Sequence, residues 1–378
     1  MAARRVNILT LNVGSSSLKF AVYAATADGV ELKWEGGMDM SRPDSAIRYR
    51  RDRNEPFTTR PWHAHASPMQ ALLKLPLFGD MGQPDVVAHR VVHGGLWLRD
   101  HCIIDGQVLE KIEAAASFAP LHVPVALKWI RHAQEALPRA RQVACFDTAF
   151  HHPLPDLSRV LPLPHALQAQ GVERFGFHGL SCESIVRQLD SPLPSRLVVA
   201  HLGSGASLTA IQDGRSIDTT MGMTPTGGVI MATRPGDIDP GVLLFLLRQG
   251  HCDAATLEDM LEHHAGLRGI SDLSGDAREL AAADNKPLAE LALAQFAQSV
   301  ARHAAGLAVV LGGLDMLVFT GGIGENDNGM RERVVAQLRP CFPAFITRVL
   351  PSQENYIMAA HARRLTAPMI TTSPAPTD

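Results

Sequence analysis

The chain is 378 residues long, 46% apolar and 19% charged, with a formal net charge of −3. That length predicts two domains, and so even a charge balance excludes a nucleic-acid binder driven by a basic surface. Membrane spanning and secretion are also excluded as expectations. No apolar run reaches the length of a span, and the stretch after Arg4 and Arg5 is broken by Asn7, Thr10 and Asn12.

Five cysteines (Cys102, Cys145, Cys182, Cys252 and Cys341) lie scattered without a C-x-x-C pair, which fits reduced thiols in a cytoplasm.

The first predicted elements are strands at 8–11 and 18–22, from an apolar run and a period-two alternation. The turn joining them, Asn12-Val13-Gly14-Ser15-Ser16-Ser17, carries an amide, a glycine and three hydroxyls. Such a turn can cradle phosphate oxygens on uncovered backbone N–H groups, and an ordinary hairpin turn can look the same. A looser copy follows at 197–208, where Leu202-Gly203-Ser204-Gly205 again joins two apolar runs. Matched turns near the start of each half predict a duplicated fold, with one phosphate-contacting hairpin per half facing a shared cleft. The alternative is two unrelated Gly-Ser turns.

Further strands are predicted at 86–88, 143–146, 208–211 and 316–320, and helices at 114–115, 123–137 and 287–311. The alternation implies an α/β architecture with largely parallel central pairing. Residues 36–76 read as irregular, with Arg48, Arg50, Arg51 and Arg53 forming a solvated basic patch. The proline-rich 153–164 reads as the connector between halves, and 371–378 as a disordered tail. The pairs His151-His152 and His263-His264 read as surface or loop positions, because adjacent side chains diverge.

Five segments carry candidate chemistry. His89-Arg90-Val91-Val92-His93-Gly94-Gly95 places an arginine fork at a strand end, suited to phosphate or carboxylate, or equally to bridging loops. Asp147, after the apolar 143–146, is a carboxylate for Mg²⁺ or a helix cap. His178, in Gly176-Phe177-His178-Gly179, can donate to a transferring phosphoryl group or satisfy a core carbonyl. The glycine-rich 218–241 carries a second arginine, Arg234. Thr320-Gly321-Gly322-Ile323-Gly324-Glu325-Asn326 runs from a strand into a helix start, which suits a nucleotide approaching bare backbone; it is neither a Walker A loop nor G-x-G-x-x-G.

Taken in order, these blocks resemble the acetate/propionate kinase family, within the group of sugar kinases, Hsc70-type ATPases and actin. The similarity runs from Ile8 to about Ala360. It implies two ribonuclease-H-like (actin-like ATPase) α/β domains around a central cleft that closes on nucleotide. The domains would span 1–150, joined by a C-terminal helix near 354–368, and 151–353. The implied reaction is reversible, direct transfer of the ATP γ-phosphoryl to acetate, giving acetyl phosphate and ADP. Propionate or another short-chain acid is the alternative acceptor, and a non-catalytic nucleotide-binding regulator the alternative role.

By the same resemblance Arg90, Asp147, His178 and Arg234 are catalytic, with Arg90 also binding substrate. Val92, Leu121, Phe177 and Pro225 wall the acyl methyl group. Asn12, Asp147 and Glu354 organise Mg²⁺ (or Mn²⁺). Ser15, Ser17 and Lys19, then His201, Gly203, Ser204, Gly205 and Asp272, then Gly322, Ile323, Gly324 and Asn326, hold ATP. A cytoplasmic homodimer with no membrane or nucleic-acid partner is implied. The chain departs from the family pattern at Leu180, Cys182, Ser204, Gly227 and Gln353.

Overall fold

Strand β1 (Val6–Val13) is buried along its whole length, with Ile8, Leu9 and Leu11 fully sequestered. Burial of each such side chain contributes about 1.5–3 kcal/mol, so a strand apolar on both faces takes a central position. The structure is a computed structural model describing residues 6–367 apart from 15–16, 27, 41–44 and 63–67. The nucleotide-site candidate Ser15 and the tail at 371–378 lie outside the described residues.

The chain divides into two compact units, Met1–Ala149 with Gln353–Asp378, and Phe150–Ser352. The first holds an eight-stranded sheet of β1, β2 (Ser17–Ala25), β3 (Val30–Asp39), β4 (Ala46–Arg50), β5 (Thr58–Pro61), β6 (Val86–Val91), β7 (Cys102–Ile103) and β8 (Arg141–Phe146). The second holds five strands: β9 (Leu197–Leu202), β10 (Ala206–Gln212), β11 (Arg215–Thr219), β12 (Met316–Thr320) and β13 (Ile346–Val349).

The order β3-β2-β1-β6-β8 in one sheet is matched by β11-β10-β9-β12-β13 in the other. In both, the first three strands pair antiparallel and the last three parallel. Five corresponding strands with the same pairing senses are what duplication of one ribonuclease-H-like unit produces. The central pairs β1·β6, β6·β8, β9·β12 and β12·β13 are parallel, as the alternation predicts, and the hairpin flanks are antiparallel.

Helices cover the sheets within each unit. Val123–Ala136 and Pro287–Val310 each begin with a proline in the first turn, where its missing N–H costs nothing. The helix Glu354–Leu365 packs on β1 and β6, which places its first residue near the end of β1. Among the described residues no helix is long and apolar enough to cross a membrane.

Three sequence expectations are corrected. Residues 36–76 contain the end of β3 and all of β4 and β5. In β4 Ile47 and Tyr49 point inward while Arg48 is exposed, a period-two pattern that the charge concealed. The stretch 153–164 is not a free connector: it lies within the second unit, where Val160 bridges to Glu173 and Arg159 pairs with the same Glu173 at 2.5 Å. His151 is buried, at 1% exposure, because both ring nitrogens are satisfied internally. His263 and His264 are exposed as expected.

Candidate active site

In the first unit, parallel pairing sets the ends of three strands side by side. Leu11 of β1 lies opposite His89 of β6, and Arg90 lies opposite Cys145 of β8. Asn12, Arg90 and Asp147 therefore converge, and Glu354 joins them from the start of its helix. Arg90 Nε donates to both Asp147 oxygens at 3.0 Å, and Nη2 donates to Oδ2 at 2.5 Å. Arg90 Nη1 donates to Asn12 Oδ1 at 3.3 Å, while Asn12 Nδ2 donates to Glu354 Oε2 at 2.5 Å.

Burial opposes the charge on Arg90, but the Asp147 and Glu354 carboxylates outweigh it and lift the guanidinium above its ordinary value. For Asp147, burial raises the carboxyl above the carboxylate range while Arg90 pulls it back down. The arginine is thus a permanent cation held in place by a fork that matches its partner's geometry. Asn12 Oδ1 and the two carboxylates are hard oxygen donors in one hydrogen-bonded chain, the donor chemistry that Mg²⁺ takes.

Ser17 and Lys19 lie on β2 with exposed side chains; Lys19 is the cross-strand partner of Asn12. Val92, just after β6, is buried, and Leu121, before the helix Val123–Ala136, is half-buried.

The second unit arranges its site around glycines. His178 has a left-handed backbone (φ 56) after Gly176 (φ 72), and its Nδ1 lies 3.0 Å from Ser207 Oγ. His151 holds this turn: its Nε2–H donates to the Phe177 carbonyl at 2.9 Å, and its Nδ1 accepts from Ser216 Oγ at 2.9 Å. A methyl on Gly176 would come within 2.7 Å of the His151 ring, so only glycine fits. Phe177 is buried, as is Pro225, whose carbonyl accepts from Arg234 Nη1 at 2.5 Å.

Arg234 and His178 meet beside Gly205. A methyl built there would lie 3.2 Å from Arg234 Nη2 and 3.3 Å from His178 Nε2. The His178 and His201 rings stack at 4.2 Å with 17° between planes. On the neighbouring turn, a methyl on Gly203 would lie 3.8 Å from both His201 Nε2 and Gly322 N, so the hairpin turn and the glycine turn after β12 adjoin. Gly321 (φ 80) has no room for a Cβ against the Leu202 backbone, whereas Gly322 opens onto empty space. Gly324 is buried, Ile323 half-buried, and Ser204 and Asn326 exposed. Asp272 ends the helix Gly266–Ser271 in a left-handed conformation with its side chain exposed.

Several residues here carried no assigned role in the sequence reading. Glu262 pairs with Arg234 Nε at 3.7 Å, and its backbone carbonyl accepts from Thr233 Oγ1 at 2.6 Å. It sits in a π-helical turn (Met260–His264) with no motif around it. Ser181, Ser207 and Ser352 contact the histidine pair directly or through one another.

Two sheets with matched strand order, each opening on a polar hairpin, define the class: two ribonuclease-H-like domains of the actin-like ATPase group, arising from duplication. Residues 7–342 match the acetokinase family. The chain is 41% identical over 350 residues to a protein of Methylocella silvestris named acetate kinase, covering 87% of this chain and 85% of that one. It is 40% identical over 342 residues to acetate kinase 2 of Neisseria meningitidis, covering 88% and 85%. Among solved structures, a propionate kinase from Francisella tularensis superposes with a TM-score of 0.87 at 30% identity, covering 95% of this chain and all of that one. Porphyromonas gingivalis acetate kinase superposes at 0.81 with 30% identity, covering 95% and 99%. The chain belongs to the acetokinase family.

Proposed function

We propose that this chain is an acetate kinase, transferring the γ-phosphoryl group of ATP directly to a carboxylate oxygen of acetate, with acetyl phosphate and ADP as products, reversibly. The observation that carries this reading is the meeting of Arg234 Nη2 and His178 Nε2 beside Gly205, which adds no side chain of its own there. Phosphoryl transfer asks for positioned positive charge more than for covalent chemistry. In the second unit Arg234 supplies the cation and His178 a hydrogen bond, and in the first Arg90 is a second cation for the same chemistry. The acceptor is already an anion at neutral pH, so no general base is needed. Asn12, Asp147 and Glu354 hold Mg²⁺ (or Mn²⁺), which when bound neutralises phosphate charge. His201, Gly203, Gly205, Gly322 and Asn326 take the nucleotide.

Val92 and Leu121 in the first unit and Phe177 and Pro225 in the second are the acyl-recognition candidates, and a valine at position 92 favours acetate over propionate. The Francisella tularensis relative, named a propionate kinase, keeps propionate as the second reading. Purified protein is assayed with Mg-ATP against acetate, propionate, butyrate and no acid, trapping acyl phosphate with hydroxylamine. Acetate-dependent product with propionate weaker supports the reading; no product with any acid, from folded protein, sinks it.

We further infer a cytoplasmic homodimer. The helix Pro240–Arg248 buries none of its residues within this chain, and Val242, Leu244 and Phe245 are 40%, 49% and 54% exposed. An apolar helix face of that kind supports cover by a second copy. Sedimentation of Phe245→Glu against the native chain tests it: a dimer that persists unchanged argues against this face.

A further inference from the structure

We propose that Asp237 and His303 are positioning residues for Arg234: Asp237 clasps the base of the loop that carries the arginine, and His303 latches that loop to the long helix Pro287–Val310. The proposal deepens the function proposed above and rests on its reading of Arg234 as the cation of the transfer.

The loop closes on itself through Asp237. Its amide donates to the Gly228 carbonyl at 2.8 Å, and its Oδ1 accepts from the Gly228 amide at 2.7 Å. Gly228 and Asp237 thus form a two-bond base. Arg234 lies between them in an inner turn, where its carbonyl accepts from the Met231 amide at 3.0 Å. A short loop closed at both levels passes a displacement of its base on to Arg234, whose Nη2 sits beside Gly205.

The helix holds this loop at two points one turn apart. Ser299 Oγ accepts from the Ile230 amide at 3.2 Å, and His303 Nε2 lies 3.1 Å from Asp237 Oδ2. The partners of the ring fix its hydrogens. Nδ1 lies 2.8 Å from the Ser299 carbonyl oxygen. A carbonyl and a carboxylate can only accept, so both nitrogens donate and the ring meets Asp237 as a cation. That bond is the chief cause holding the Asp237 carboxyl below the carboxylate range, and the Gly228 amide adds to it. One carboxylate therefore serves the base of the loop with Oδ1 and the helix with Oδ2. The Asp237 side chain is 63% exposed, so the pair is screened and adds little to global stability. Its effect is local, on where the loop sits against the helix.

The test uses the full chain, reading hydrogen exchange in peptides spanning 226–240 beside steady-state kinetics. His303→Phe keeps a ring and removes both donors. Loop exchange is expected to speed about tenfold and kcat to fall about fivefold, with KM for Mg-ATP within about twofold and the urea midpoint unchanged. Asp237→Ala, which also opens the base, costs more, about thirtyfold in kcat. Asp237→Asn is the rescue. Its amide oxygen still accepts from Gly228 N and its NH₂ donates to Nε2 of a neutral ring, so exchange and kcat return to within about twofold of native.

Native loop exchange in His303→Phe, or faster exchange with kcat unchanged, overturns the proposal, as does an Asp237→Asn protein as impaired as Asp237→Ala. Exchange is read without turnover. Faster loop exchange in His303→Phe, alongside a native chain that makes no acyl phosphate, would therefore sink the kinase reading and leave the clasp and latch standing.

Discussion

The two units build their candidate sites in opposite ways. In the first, space is filled with charge that is already paired: Glu354, Asn12, Arg90 and Asp147 form one buried hydrogen-bonded chain. In the second, space is emptied: Gly203, Gly205 and Gly322 leave room beside His201, His178 and Arg234. A paired buried cation cannot be removed without stranding its partner, so in the first unit site chemistry and stability are one property. Where glycine clearance makes the site, chemistry can fail while the fold stands.

The largest test of that contrast is Arg90→Ala. It leaves Asp147 buried and uncompensated, so turnover is expected to fall about a thousandfold and stability by about 3–5 kcal/mol. Urea unfolding of Arg90→Ala/Asp147→Ala should recover much of the stability and none of the turnover. A single mutant as stable as the native chain would break the comparison.

The next effect is on acid stability, through His89 in the first unit and His151 in the second. Burial lowers both His89 and His151 from 6.5 to about 4. The folded rings stay neutral while unfolded rings take up a proton below pH 6.5. Their contribution is therefore fully present above pH 6.5 and is lost as pH falls toward 4, up to about 3 kcal/mol each. Calorimetry from pH 7 to 4.5 should show a falling melting temperature, with a shallower slope in His89→Asn, whose Nδ1 has no hydrogen-bond partner among the described residues. An unchanged slope would show that this ring titrates alike in both states.

Gly205→Ala sharpens the other side. The added methyl presses on Arg234 and His178, and turnover should drop about tenfold to thirtyfold with little change in urea midpoint. Equal losses in both measurements would erase the distinction. The smallest effect is Val92→Ala, expected to raise the propionate-to-acetate ratio of kcat/KM several-fold, since one methylene is worth about 1–3 kcal/mol.

Much of the fold was legible because β1, β9 and β12 are apolar enough to declare themselves and their turns repeat. What stayed hidden had physical reasons. In β4 alternating arginines outweighed the inward Ile47 and Tyr49. His151 gave no sign of burial, because its partners Ser216 and the Phe177 carbonyl are distant in sequence or carried by the backbone. Glu262 reaches Arg234 from a π-helical turn that no local pattern announces. Asn12, Arg90 and Asp147 were legible as strand-end polar residues, yet only parallel pairing shows that Arg90 is the partner of both others.

The outer margin of the first sheet has a consequence for the protein in concentrated solution. Among the described residues β5 is the edge strand of its sheet, exposed throughout, and an edge of this kind offers a row of backbone groups to another strand. It carries Arg60 and ends in Pro61, and nearby Arg48 and Arg50 sit over the Phe57 ring at 5.0 and 4.4 Å. A proline that cannot extend a ladder, and like charges that would face each other across any docked strand, stop the sheet from recruiting another chain. The same arginines cover an aromatic ring that would otherwise invite aggregation, so this margin guards solubility without touching the chemistry.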